Sequence, residues 1–229
     1  PRSGLQWSQA PRVPFYALLA FDSHLLDWKG LRAIVNGVTI SKPTGLHFRD
    51  LSVLLSAPHL EPDVNFNELI PTPSLDKITQ VIEAVAAQLA YELMQRPELI
   101  GFDQAEDAAR IFEDLSKYYV SQERQDLAVQ ALRATLELRE QVLGAVHPDL
   151  VDGWTQLLEW NRRLGDPEAV LPIQERLIPL LRAAGENHVR KHRVAEGTTL
   201  LKRALELEEL LPEAPDDLAV LYHDLAVLV

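Results

Sequence analysis

The sequence predicts a mainly α-helical chain, an α-solenoid of helix pairs with a small mixed α/β segment at its N-terminus. Three observations point there: apolar residues recur at helical spacing from Leu75 onward, short breaks punctuate that pattern, and one set of offsets repeats. The offsets start at Phe112, where Leu115, Ser116 and Tyr119 share one helix face and Ala128, Leu132 and Thr135 share the next. These lie 3, 4, 7, 16, 20 and 23 residues beyond Phe112. From Trp154 the same steps reach Leu157, Leu158 and Asn161, and from Tyr222 they reach Leu225, Ala226 and Val229. An amphipathic helix pair cannot hide its apolar faces alone, so neighbouring pairs must stack and share them. Small residues such as Ala128 and Ala226 let helices approach, while Tyr119 and Trp154 fill the gaps.

Residues 1–73 differ from the rest. They hold more than half of the fifteen prolines, and their apolar runs, such as 13–20 and 51–55, are short. Asn36-Gly37 stands between Ala33-Ile34-Val35 and Val38-Thr39-Ile40, which predicts two strands joined by a two-residue turn. Residues 47–55 suit a third strand or a short helix. The whole segment reads as a small mixed domain or a cap on the helices. Pro71-Thr72-Pro73 then marks a break, with Ser74 expected to cap a helix that ends near Arg96. Leu75, Ile78, Val81, Ile82, Val85, Leu89 and Leu93 form its apolar face. The expected divisions are 1–73, a connecting helix at 74–102, and repeats over 103–229.

Within the repeats, breaks are expected at 122–125, 144–148, 165–167, 185–187, 197 and 212–215. A helix is expected over 166–184, with Pro172 and Pro179 kinking or breaking it. Residues 185–199 look too short and too basic for a full first helix, so the third pair is read as stunted or incomplete. The start at Pro1 and the apolar stretch up to Val229 suggest a piece of a longer protein, with an open solenoid end available for self-association.

The composition narrows the function. A net charge of −12 repels phosphate backbones and anionic lipid heads, so neither nucleic acid nor a membrane surface is an expected partner. With no cysteine there is no disulfide, thiolate nucleophile or sulfur-ligated metal. No apolar run is long enough to span a bilayer and no signal-peptide pattern opens the chain, so a cytoplasmic location is expected. Glycine-rich phosphate loops, zinc-protease signatures and nucleophile elbows are missing, and no cofactor is implied.

The offset residues resemble the tetratricopeptide-repeat family over about 105–229. Leu143-Gly144 closing one helix, and His147-Pro148-Asp149 opening the next, are similar to the longer subtype seen in kinesin light chains. The spacing of 42 residues between Phe112 and Trp154 fits that subtype, and 202–207 matches the second helix of another pair. The resemblance implies a right-handed solenoid whose groove, lined by first helices, binds a peptide or helix of another protein. It implies groove positions at Glu113, Lys117 and Val120, and at Thr155, Glu159 and Arg162, with Arg163 alongside. Lys117, Asn161 and Arg162 only partly match the family's carboxylate-gripping set. The expected function is therefore a protein-interaction scaffold. One alternative is the regulatory or sensor arm of a larger signalling protein or enzyme. Another is an unrecognised catalytic or small-molecule site within 1–73.

Other patterns are weaker. His147-Pro148-Asp149 is also the tripeptide of chaperone J-domains, but Gly144-Ala145-Val146 and Leu150 flank it in place of the basic helix such domains need. At the start of a helix Pro148 suits the first turn and Asp149 the positive dipole end. His188, His192 and Glu196 at four-residue steps would share a face on a single helix and could hold a divalent metal, whereas the simpler reading is a solvated basic stretch with Arg190, Lys191 and Arg193. Paired acids such as Glu137/Glu140 sit in no apolar pocket that would tune them for catalysis. Asp22-Ser23-His24 is adjacent in sequence, which says nothing about a triad assembled in space.

Overall fold

A computed structural model of the chain describes residues 15–21, 28–42, 46–57 and 60–211. The offset set beginning at Tyr222, with Leu225, Ala226 and Val229, lies outside these residues, as do the break at 212–215 and Asp22-Ser23-His24. The chain is mainly helical, with a small mixed sheet at its N-terminal end, and divides into two compact units, Pro1–Pro97 and Glu98–Val229.

The first unit carries four strands, β1 (Tyr16–Ala20), β2 (Gly30–Val35), β3 (Val38–Lys42) and β4 (Ser52–Ser56). Their order across the sheet is β1-β4-β2-β3, with β2 and β4 parallel and the other neighbours antiparallel. The expected hairpin is β2–β3. Asn36 and Gly37 both have positive φ, 51° and 80°, as a turn that follows the strand twist requires. The ambiguous stretch 47–55 resolves as a turn at Arg49-Asp50 followed by strand β4 from Ser52. Leu31, Ala33 and Val35 alternate inward along β2, beside Val53 and Leu55 of β4 and Ile40 of β3. Helix α1 (Pro73–Met94) completes the unit and buries Leu75, Ile78, Ile82 and Val85. Its cap is Thr72 rather than Ser74: Pro73 already occupies the first helical position, and the Thr72 hydroxyl accepts the Leu75 N–H at 3.2 Å. Glu83 on α1 accepts from both the backbone N–H and the ring Nδ1 of His47, at 3.0 and 2.9 Å.

The second unit holds α2 (Ala105–Ser121), α3 (Gln125–Leu143), α4 (Val151–Leu164), α5 (Pro167–Arg190) and α6 (Val194–Glu208). Each packs on the next in the chain. Phe112, Leu115 and Ser116 are buried on α2, opposite Ala128, Leu132 and Thr135 of α3. Trp154, Leu157, Leu158 and Asn161 are buried on α4. The His147-Pro148-Asp149 tripeptide does open a helix: His147 Nδ1 accepts the Asp149 N–H at 3.3 Å, and Pro148 begins the short turn that leads into α4.

Two expected breaks are absent from α5 and α6. No break falls at 185–187 or at 197, since α5 continues to Arg190 and Gly197 lies inside α6. Both glycines are contact residues. A Cβ on Gly197 would stand 2.7 Å from the Gly185 carbonyl oxygen, and one on Gly185 would stand 3.1 Å from that of Gly197. Nor do Pro172 and Pro179 break α5, which runs unbroken through both. Each proline lies on the exposed side of the helix, where water can take up the carbonyl left without its donor.

The third pair is therefore neither stunted nor incomplete. Its first helix is the second half of α5. Counting from Leu181, the offsets 3, 4, 7, 16, 20 and 23 reach Ala184, Gly185, His188, Gly197, Leu201 and Ala204. All of these are buried except His188, which like Tyr119 is half-buried. The backbone agrees. At the end of α2, Glu123 (φ 59°) donates to Val120 O, and Arg124 donates to Tyr119 O. At the end of α4, Gly165 (φ 71°) donates to Arg162 O and Asp166 to Asn161 O. At the end of α5, His192 (φ 61°) donates to Val189 O and Arg193 to His188 O. One left-handed residue thus closes each of three helices with the same pair of bonds.

Candidate functional site

The residues expected to line a groove divide by exposure. On α2, Glu113, Lys117 and Val120 follow steps of four and three and form one strip beside the buried face. Lys117 and Val120 are exposed, while Glu113 is half-buried. Glu113 is bonded to Lys117 one turn on, and its other oxygen accepts from Arg139 of α3 at 2.6 Å. Burial opposes the charged form of Glu113, but the hydrogen bonds and positive charges of Lys117 and Arg139 outweigh it and hold the carboxyl below its ordinary range.

On α4, Glu159, Arg162 and Arg163 are exposed and Thr155 is half-buried with its hydroxyl covered. Glu159 lies 3.8 Å from Arg203 of α6. Asn161 does not belong to the strip. It is 2% exposed, and its Nδ2 donates to the Leu157 carbonyl one turn back at 2.8 Å. Its offset of seven from Trp154 puts it on the packing face, where a polar side chain must find a partner within the core.

Sequence reasoning missed the corresponding positions on α5. Arg182 and Glu186 stand to Leu181 as Glu113 and Lys117 stand to Phe112. The offset set from Leu181 was the available signal. It was obscured because Gly185 reads as a helix stop. Arg182 is already engaged, donating to both carboxylate oxygens of Glu208 at 2.7 Å.

Behind the strips, α3, α4 and α5 are tied together at Trp154. The Arg176 guanidinium lies 5.3 Å from the centroid of the Trp154 ring and donates to Glu140 of α3 at 2.6 Å. Burial pushes Glu140 above the ordinary carboxylate range. The charge of Glu137 adds to this, and the opposing pull of Arg176 and the indole does not cancel it.

The metal reading of His188, His192 and Glu196 does not hold in its expected form. His188 lies in the last turn of α5, His192 sits in the following turn with φ 61°, and Glu196 belongs to α6, so the three do not share one helix face. His188 Nδ1 lies 3.0 Å from Glu196 Oε2, which Arg193 also engages. Among the described residues no group of three His, Asp or Glu side chains is placed to hold a metal ion, and no helix is long and apolar enough to cross a membrane.

Arg162 and Arg163 form no ion pair among the described residues, which leaves two unspent cations on the last turn of α4, beside the exposed Glu159. Among the described residues the arrangement supplies exposed polar and charged strips on packed helices. No protein-family model matches the chain, and no curated protein matches it either.

Proposed function

We propose that residues 103–211 act as a protein-interaction scaffold. In this reading the helix pairs stack in the right-handed, tetratricopeptide-like manner, and a peptide or helix of a partner protein lies along the exposed strips of α2 and α4. The observation that carries the proposal is the threefold recurrence of offsets and turn bonds from Phe112, Trp154 and Leu181. Repeats of this kind bury one face of each helix against its neighbours and leave another free for recognition. Lys117 and Val120 on α2, with Arg162 and Arg163 on α4, are the exposed contacts offered. The free arginines favour a partner that presents carboxylates.

The test is affinity capture with crosslinking, comparing the wild-type chain with K117E and R162E/R163E variants whose helical content is shown unchanged by circular dichroism. A partner crosslinked to α2 or α4 should lose at least tenfold in affinity on charge reversal, about 1.4 kcal/mol or more. If every captured partner binds both variants as it binds the wild type, these strips are not the docking surface.

A further inference from the structure

The hairpins α2–α3 and α5–α6 are built on one plan, yet the ion pairs that join their helices differ in polarity. Their turns share the same backbone bonds, and their crossings share small residues at matching offsets, Ser116 with Ala128 in one and Gly185 with Gly197 in the other. Each also carries an ion pair joining its two helices at equivalent positions. Glu113 follows Phe112 directly, and Arg182 follows Leu181 directly. Arg139 lies 27 residues beyond Phe112, and Glu208 lies 27 residues beyond Leu181. The pairs are thus Glu113–Arg139 at 2.6 Å and Arg182–Glu208 at 2.7 Å, with reversed polarity.

We infer that this reversal is a pairing code, which stops the second helix of one hairpin from docking on the first helix of the other, within a chain or between two copies. The shared turn does not oppose the exchange, and the crossing opposes it only where Ala128 would face Gly185. In an exchanged pairing Arg139 would meet Arg182 and Glu113 would meet Glu208. None of the four side chains is fully exposed, and Glu208 is only 3% exposed, so water would screen the like charges poorly. The correct pairings satisfy all four charges. Repeat proteins are prone to mispairing because their units resemble one another, and charge that rejects the wrong partner is an established physical route to specificity. This inference concerns folding and stands apart from the proposed binding function.

The full chain is refolded from denaturant over a range of concentrations and its species are separated by size with light scattering. In R182E/E208R the second pair takes the polarity of the first, and each hairpin keeps an attractive pair. Its recovery at the wild-type elution position should fall, and larger species should rise several-fold with concentration. In the combined variant E113R/K117E/R139E/R182E/E208R both pairs are reversed, opposite polarity returns, and the turn-to-turn contact with residue 117 is kept. This variant should recover the wild-type profile. A wild-type profile for R182E/E208R would overturn the inference. So would a combined variant that refolds no better than R182E/E208R, because the defect would then be local misfit, which accumulates with each change.

Discussion

The crossing of α2 with α3 and the crossing of α5 with α6 bring two helices together by different means. At the first, Ser116 is 3% exposed, and its hydroxyl donates to the Ala128 carbonyl on the facing helix at 3.0 Å. At the second, two glycines meet, and each would direct a Cβ at the other's carbonyl oxygen. The first crossing gains a hydrogen bond and keeps side chains with good helix propensity on one side. The second gains close approach but places glycine in two helix interiors, each costing roughly 1 kcal/mol relative to alanine. One pattern of offsets therefore does not dictate one chemistry. In these two hairpins small residues stand four and sixteen places beyond Phe112 and Leu181, and they do so at opposite ends of a trade between propensity and proximity.

The largest expected effect falls on the glycine crossing. Gly197→Ala should gain helix propensity of about 1 kcal/mol, yet lose more by forcing its Cβ against the Gly185 carbonyl, for a net destabilisation of about 1–2 kcal/mol in denaturant unfolding. A stabilised variant would show that the two helices can slide apart cheaply, and the contrast between the crossings would collapse. At the other crossing, Ser116→Ala removes the donor but leaves the shape, so a loss of about 1 kcal/mol is expected in the same measurement.

The smallest effect is a slope. Because the folded-state pKa of Glu113 is depressed, its contribution is fully present above the ordinary value it has in the unfolded chain and is lost as pH falls through the lower folded value. Melting temperature followed from pH 6 downward should therefore fall less steeply in Glu113→Gln than in the wild type. Parallel curves would mean that the Glu113 links to Lys117 and Arg139 contribute nothing on acidification.

Much of this architecture was legible in the residues. Asn36-Gly37 specified its hairpin because few other dipeptides accept two positive φ values. The faces of α2, α3 and α4 followed from helical spacing, since burial needs a contiguous stripe. What escaped was decided by contacts distant in sequence. Gly185 and Gly197 look like helix stops until the facing backbone is seen. Pro172 and Pro179 look like breaks until their exposure is known. Strand β1 has no alternation to betray it, because Ala17, Leu18, Leu19 and Ala20 are all apolar and only pairing with β4 makes them a strand. At the candidate surface, the family resemblance pointed to the exposed Lys117, Glu159, Arg162 and Arg163, but it could not show that Glu113 is tied to a neighbouring helix or that Asn161 bonds within the core.

Helix α5 serves two pairings within one continuous run of helix. Arg176 in its first half reaches Trp154 of α4 and Glu140 of α3, while Arg182 and Gly185 in its second half meet α6. A helix turns about 100° per residue. Adding or deleting a single residue between 176 and 182 would rotate one set of partners a quarter-turn or more away from the other. The length of that segment is consequently as constrained as its composition, and the loop-like tolerance of insertion that ordinarily separates repeats is withdrawn from this stretch.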